Sequence, residues 1–163
     1  MSKAKLKKAL AAMNAEQLAT VILDAYDNSN DFKIYFEYWL NPDPEKLAEK
    51  AKAKLTGRFI TKAGHPAKRP GAQKCDRIVN DFAALAGDAD YICDLRMLYA
   101  VMLAQWIDLQ SSRTKYRVWA ERTFRNAAIS ADASSEPEMH KARLKHLLAY
   151  YRELYCNFNF SED

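Results

Sequence analysis

Glycine and proline are scarce in this chain, with four and five among 163 residues. Those residues build most tight turns, so turns should be few and elements long, which points to helices. Cysteine is scarcer still. Cys75, Cys93 and Cys156 are odd in number, far apart and never in a C-x-x-C pair. That argues against a disulfide framework or a zinc site and fits a reducing compartment. Long apolar runs are also missing. The longest, Met97 to Ala104, has eight residues, against about 20 for a membrane-spanning helix. Lysines 3, 5, 7 and 8 resemble the start of a signal peptide, but Asn14, Glu16 and Gln17 break the alanine-rich stretch after them before an apolar segment develops. The expected location is cytoplasmic.

What is present is ordinary globular material: 49% apolar and 28% charged residues, enough for a folded core without staples. The expected organisation is a single helical domain over 1–163, with a basic irregular segment at 58–72 (RFITKAGHPAKRPGA). Apolar residues recur at helical spacing nearly everywhere. Leu6, Leu10 and Met13 mark a short first helix. Asn14 with Gln17 forms a capping-box pattern before Leu18, Val21, Ile22 and Ala25. Asn28-Ser29-Asn30 breaks that helix, and Pro44 opens another that Gly57 should end. Cys75, Ile78, Val79, Phe82 and Leu85 define the next, stopped by Gly87.

From Asp90 to Gln110 apolar residues surround most of the helix, the mark of a central element. Ser112 should cap a helix through Tyr116, Trp119 and Ala127. The last should open at Ser135-Glu136-Pro137-Glu138, bury Leu147, Leu148, Tyr151, Leu154 and Tyr155, and fray from Asn157. The sum is an all-α fold of about eight helices. Grouped as antiparallel hairpins (15–40, 73–110 and 113–157), they suggest a solenoid-like stack of the tetratricopeptide or HEAT kind, or an irregular bundle.

Residues Phe32 to Leu40 read FKIYFEYWL, five aromatics in nine positions. Positions 32, 35, 36 and 39 share a helix face that should be mostly core. Tyr35, Tyr38 and Trp39 together exceed what one face can hide, so they are candidates for a groove or a dimer contact.

Charge is unevenly spread. Lys50, Lys52, Lys54, Arg58, Lys62, Lys68, Arg69 and Lys74 lie in a stretch without one acidic residue, whereas 76–108 holds six aspartates and two arginines. Lys62, His65, Lys68, Arg69 and Lys74, with Phe59, could engage a polyanion such as nucleic acid. The plainer reading is a solvated face whose loop pairs with its acidic neighbours, and it is preferred because no RNA-recognition motif, zinc finger or G-x-x-G clamp accompanies the charge. Arg117, Glu121 and Arg125, four apart, should pair along one helix face.

Catalytic signatures are absent: there is no H-E-x-x-H, Walker loop, G-x-G-x-x-G or G-x-S-x-G. His140 and His146 are separated by about 240° around a helix and do not converge on a metal. Glu136 and His140 read as a capping carboxylate and a solvent histidine. Asp90 and Asp94 read as helix-dipole partners, and Cys75 and Cys93 as small apolar core residues. No catalytic residue, metal or cofactor is implied, and an enzyme is the third reading.

Leu6-Lys7-Lys8-x-Leu10, Glu16-Gln17-Leu18, Ile22-Leu23-Asp24-x-Tyr26, Phe32-Lys33-x-Tyr35-Phe36-Glu37-x-x-Leu40-Asn41-Pro42 and Glu45-Lys46-Leu47 resemble a family of small bacterial proteins classed as a domain of unknown function. The basic loop running into Lys74 and the Phe82 helix, then Asp94-Leu95-x-Met97-Leu98-Tyr99, continue the resemblance. It spans most of residues 5–103 and implies no activity. The residues favour a protein–protein interaction module that buries an aromatic or aliphatic partner segment, or associates with itself. Polyanion binding through 50–74 is the alternative, and no membrane partner is expected.

Overall fold

The structure, a computed structural model, describes residues 2–111 and 113–154, with side chains for 2–111 and 115–149. Among them are eight α-helices: α1 (Lys3–Ala11), α2 (Ala15–Asn28), α3 (Asn30–Leu40), α4 (Pro44–Phe59), α5 (Ala72–Ala86), α6 (Ala89–Asp108), α7 (Arg117–Asp132) and α8 (Pro137–Leu154). A 3-10 turn, Arg113–Tyr116, precedes α7. The fold is all-α, and none of these helices is long and apolar enough to cross a membrane. Ser112, Cys156 and the tail beyond Leu154 lie outside the described residues, as do the side chains of Tyr151, Leu154 and Tyr155.

The helix boundaries follow local chemistry. Asn14 Oδ1 accepts from the Gln17 amide at 2.8 Å while Gln17 Oε1 accepts from the Asn14 amide at 3.0 Å, the expected reciprocal cap. Ser29 ends α2 and caps α3 through the Phe32 amide. Asp88 accepts from the Asp90 and Tyr91 amides at the head of α6. Gly87, at φ 65°, gives α5 its left-handed end, where a side chain would be strained. Gly57 does not end α4, which runs two residues further to Phe59 because Leu55 and Phe59 hold its last turn in the core.

The chain divides into two compact units at Asp43/Pro44. In the first, α2 and α3 pack as a hairpin. The Tyr26 hydroxyl donates to Glu37 Oε1 at 2.9 Å, and Lys33 lies 4.8 Å from the centre of the Tyr26 ring. No residue of α1, α2 or α3 is buried. The expectation that the aromatic face of α3 forms core is therefore corrected. Phe32, Phe36 and Trp39 stack in series along their own helix, with ring centres 5.7 Å apart at each step; Phe36 also meets the Tyr26 ring of α2 edge-on at 6.5 Å, and Phe32 and Phe36 are only half-buried.

The second unit holds the core. Helix α6 is its hub and packs on α4, α5, α7 and α8, as its all-round apolar character requires. Leu55, Leu95, Leu103 and Ile107 are the largest aliphatic side chains fully inside. Beside them an aromatic cluster joins Phe59, Tyr99, Trp106, Tyr116 and Trp119, with ring centres 4.9 to 6.5 Å apart. Contacts run mostly between helices near in sequence, yet one helix touches four others, so the arrangement fits neither the stacked-hairpin nor the irregular-bundle expectation cleanly. On α8 the buried leucine among the described side chains is Leu144, while Leu147 and Leu148 are half-buried.

Candidate functional site

The segment between α4 and α5 is irregular but well held. Ile60 and Pro66 form an isolated antiparallel bridge, the Thr61 amide donates to the His65 carbonyl at 2.8 Å, and the Ala67 amide donates to the Phe59 carbonyl at 2.7 Å. Gly64, at φ 78°, makes the turn between them. Two core-side groups pin the rest. The Trp106 indole donates to the Ala67 carbonyl at 2.7 Å, and the Arg58 guanidinium donates twice to the Pro70 carbonyl, at 2.8 and 2.5 Å.

Arg58 thus supports the loop rather than a ligand. Phe59, expected to accompany the basic residues, is 2% exposed in the core and unavailable to stack on a base. Lys62, His65, Lys68, Arg69 and Lys74 are all exposed. Among the described residues none of the four cations has a carboxylate at ion-pair distance, so the expected pairing with acidic neighbours does not occur.

Tyr35 and Trp39 on α3 are 54% and 63% exposed, and Tyr38 is half-buried. Leu40, next to Trp39, and, on α2, Val21, Ile22 and Leu23 are exposed as well. Of the exposed large apolar side chains among the described residues, seven lie before Asp43 and five after it, although the first unit is much the shorter.

A third place was not legible in the sequence. Helices α5, α6 and α7 line a half-open cavity of about 220 Å³ formed by Asp76, Val79, Asn80, Arg96, Tyr99, Arg122, Thr123 and Asn126. A relay of hydrogen bonds fixes one wall: the Trp119 indole donates to the Tyr99 hydroxyl at 2.7 Å, and that hydroxyl donates to Asp76 Oδ1 at 3.0 Å. Arg122 closes on Asp76 Oδ2 at 2.6 Å. Burial pushes the Tyr99 hydroxyl well above the ordinary tyrosine range, so it stays a neutral donor. One turn earlier on α6, Arg96 Nη1 donates to the Ser130 hydroxyl at 2.6 Å and to the Asn126 carbonyl at 3.3 Å. The helical spacing within each contributing helix is visible in sequence, but nothing there signals that three polar stripes meet.

The remaining candidates are structural. Cys75 and Cys93 are buried, and desolvation raises both thiols to about 11, the reverse of nucleophile activation. Asp90 and Asp94 do more than complement a dipole. Asp90 accepts from the Ser135 amide at 2.7 Å and its hydroxyl at 2.6 Å, and Asp94 accepts from Arg143 at 3.2 Å, so two carboxylates of α6 hold the start and face of α8. Ser135 faces Asp90 instead of forming the expected capping box, and α8 begins at Pro137. His140 is no solvent histidine: it is 5% exposed, and its Nδ1 lacks a hydrogen-bond partner. Arg117 pairs with Glu121 at 2.7 Å as expected. Among the described residues no group of histidine, cysteine or carboxylate side chains is placed to hold a metal.

Neither a curated protein nor a solved structure matches the chain. Residues 1–130 match the family described as "Family of unknown function (DUF6155)", a span that contains the whole of the resemblance carried by residues 5–103, together with the α3 surface, the α4–α5 loop and the lining of the cavity. The chain belongs to that family.

Proposed function

We propose that this protein is a protein–protein interaction module that works through its N-terminal α2–α3 hairpin, and that the occupant of this surface is a second copy of the chain. The observation that carries the reading is a unit of three helices with no buried residue and a concentration of exposed Val21, Ile22, Leu23, Tyr35, Trp39 and Leu40. So small a unit cannot bury enough surface alone. Exposed apolar side chains concentrated in so short a segment favour association.

The choice of a second copy rests on complementarity within the unit. Helix α1 carries four lysines and no acid, whereas 15–40 carries Glu16, Asp24, Asp27, Asp31 and Glu37 against Lys33 alone. Helix α1 makes no extensive contact with α2 or α3. Two copies related by a two-fold axis would set each basic α1 against the other's acidic hairpin while the apolar faces close into a four-helix layer.

Sedimentation velocity tests this. A dimer is expected, becoming monomer in the Leu23→Asp, Trp39→Asp double variant while the circular dichroism of the Pro44–Leu154 helices is kept. A wild-type chain that stays monomeric across its soluble range refutes the second copy. A double variant that still dimerises refutes the hairpin.

A second reading, polyanion binding by the α4–α5 loop, is favoured by one observation. Lys62, Lys68, Arg69 and Lys74 are exposed without acidic partners on a loop already held in shape by Trp106 and Arg58. Anisotropy titrations with labelled DNA and RNA oligonucleotides across salt test it. Binding that collapses with salt and with glutamine at the four positions supports it, and no binding at low salt removes it.

A further inference from the structure

We infer that the α5–α6–α7 cavity is a binding site for a small monocarboxylate, with Arg96 as the principal anchor. Three features of the lining carry this. Arg96 has five N–H donors, and only Nη1 is engaged, by a hydroxyl and a carbonyl. No carboxylate neutralises it, and its other donors have no acceptor among the described residues. Asn80 and Asn126 also line the cavity, and neither side-chain amide has a hydrogen-bond partner among the described residues. The carboxylate in the lining, Asp76, is engaged by Tyr99 on one oxygen and by Arg122 on the other, and makes no ion pair with Arg96.

The charge selects the ligand. Two guanidiniums and one carboxylate leave the lining at a net single positive charge, which a monoanion neutralises and a dianion would overfill beside Asp76. A planar two-oxygen anion matches the fork of Arg96 and leaves the amides of Asn80 and Asn126 to donate from the sides. Val79 and the Tyr99 ring supply an apolar floor for a short aliphatic tail. The cavity volume of about 220 Å³ falls below the roughly 300 Å³ at which drug-sized pockets begin, so the ligand is of metabolite size.

The test is a nitrogen-15 amide titration of the full chain with butyrate, at ionic strength held constant by chloride, with inorganic phosphate and a short peptide bearing a free C-terminal carboxylate as parallel arms. Saturable shifts confined to α5, α6 and α7 with butyrate are expected, lost at least tenfold in affinity in Arg96→Gln. Asn80→Asp is the second variant: Asn80 is exposed and unbonded, so the fold should be unaffected while the added negative charge repels the ligand by a similar factor. Saturation by the peptide and not by butyrate, preference for phosphate, no saturable shift in the folded wild type, or an Asn80→Asp chain that binds as wild type would each overturn the proposal.

Discussion

Two aromatic-rich regions of this molecule have opposite fates. On α3, Phe32, Phe36 and Trp39 stack along their own helix, meet α2 through a single edge-on contact between Phe36 and Tyr26, and contribute no buried residue. Around α6, Phe59, Tyr99, Trp106 and Trp119 come from three helices, and three of the four are buried. The chemistry of the side chains is the same. The difference is the number of elements that can surround them, since a two-helix hairpin leaves an outer face on each helix and α6 has four neighbours. An apolar stripe thus becomes core only where enough helices surround it, as they do around α6.

The sharpest way to break the comparison is to cut a side chain from each region. Leu103 is wholly buried on α6, so Leu103→Ala should cost about 2–5 kcal/mol in urea unfolding, from lost transfer energy and the cavity left behind. Leu23, 62% exposed on α2, should cost no more than about 0.5 kcal/mol as alanine in a monomer. If the hairpin is covered by a second copy, the Leu23→Ala loss grows and depends on protein concentration, because association is linked to stability. Equal, concentration-independent losses at both sites would mean the regions do not differ.

A smaller effect separates the polar from the apolar part of the second unit. Tyr99→Phe keeps the ring in the aromatic cluster but leaves the Trp119 indole without its acceptor and Asp76 without one of its donors. A loss of about 1–3 kcal/mol is expected, the cost of stranding a part-buried donor. Thermal unfolding reads it, and a change of no more than a few tenths would show that the relay is solvent-satisfied.

Most of the helices were legible in the sequence because their determinants are local: Asn14 with Gln17, Ser29, Asp88 and Gly87 act within one turn. The hub role of α6 was legible too, since apolar residues around a whole helix need neighbours on every side. What was not legible depends on pairs far apart in the chain. Asp76, Tyr99 and Arg122 meet across separations of 23 and 46 residues, and nothing in the spacing of α5 announces its facing helices. His140 misled for the same reason. Its position in the first turn of α8 suggested solvent, but Asp90 ties Ser135 to α6 and turns that end of the helix inward. The α3 stripe misled in the other direction, because periodicity reports that a face is apolar and says nothing of what covers it.

The last contrast is between the two carboxylates that α6 directs at α8, and it can be read by pH. The Ser135 hydroxyl, and after it the Ser135 amide, hold Asp90 below the ordinary carboxylate range. A group whose folded pKa is depressed stabilises the fold above its unfolded value of about 3.9, and that contribution disappears as pH falls through the folded value. Wild-type stability should therefore slope downward below that range, and Asp90→Asn, which cannot titrate, should lose this component of the slope while Asp94→Asn keeps it. The urea midpoint followed from neutral to strongly acidic pH measures the difference. The effect should be the smallest of the three, because Asp90 is open to solvent and water screens it. Superimposable acid limbs for wild type and Asp90→Asn would show that the Ser135 contact fixes geometry at the head of α8 without coupling it to protons.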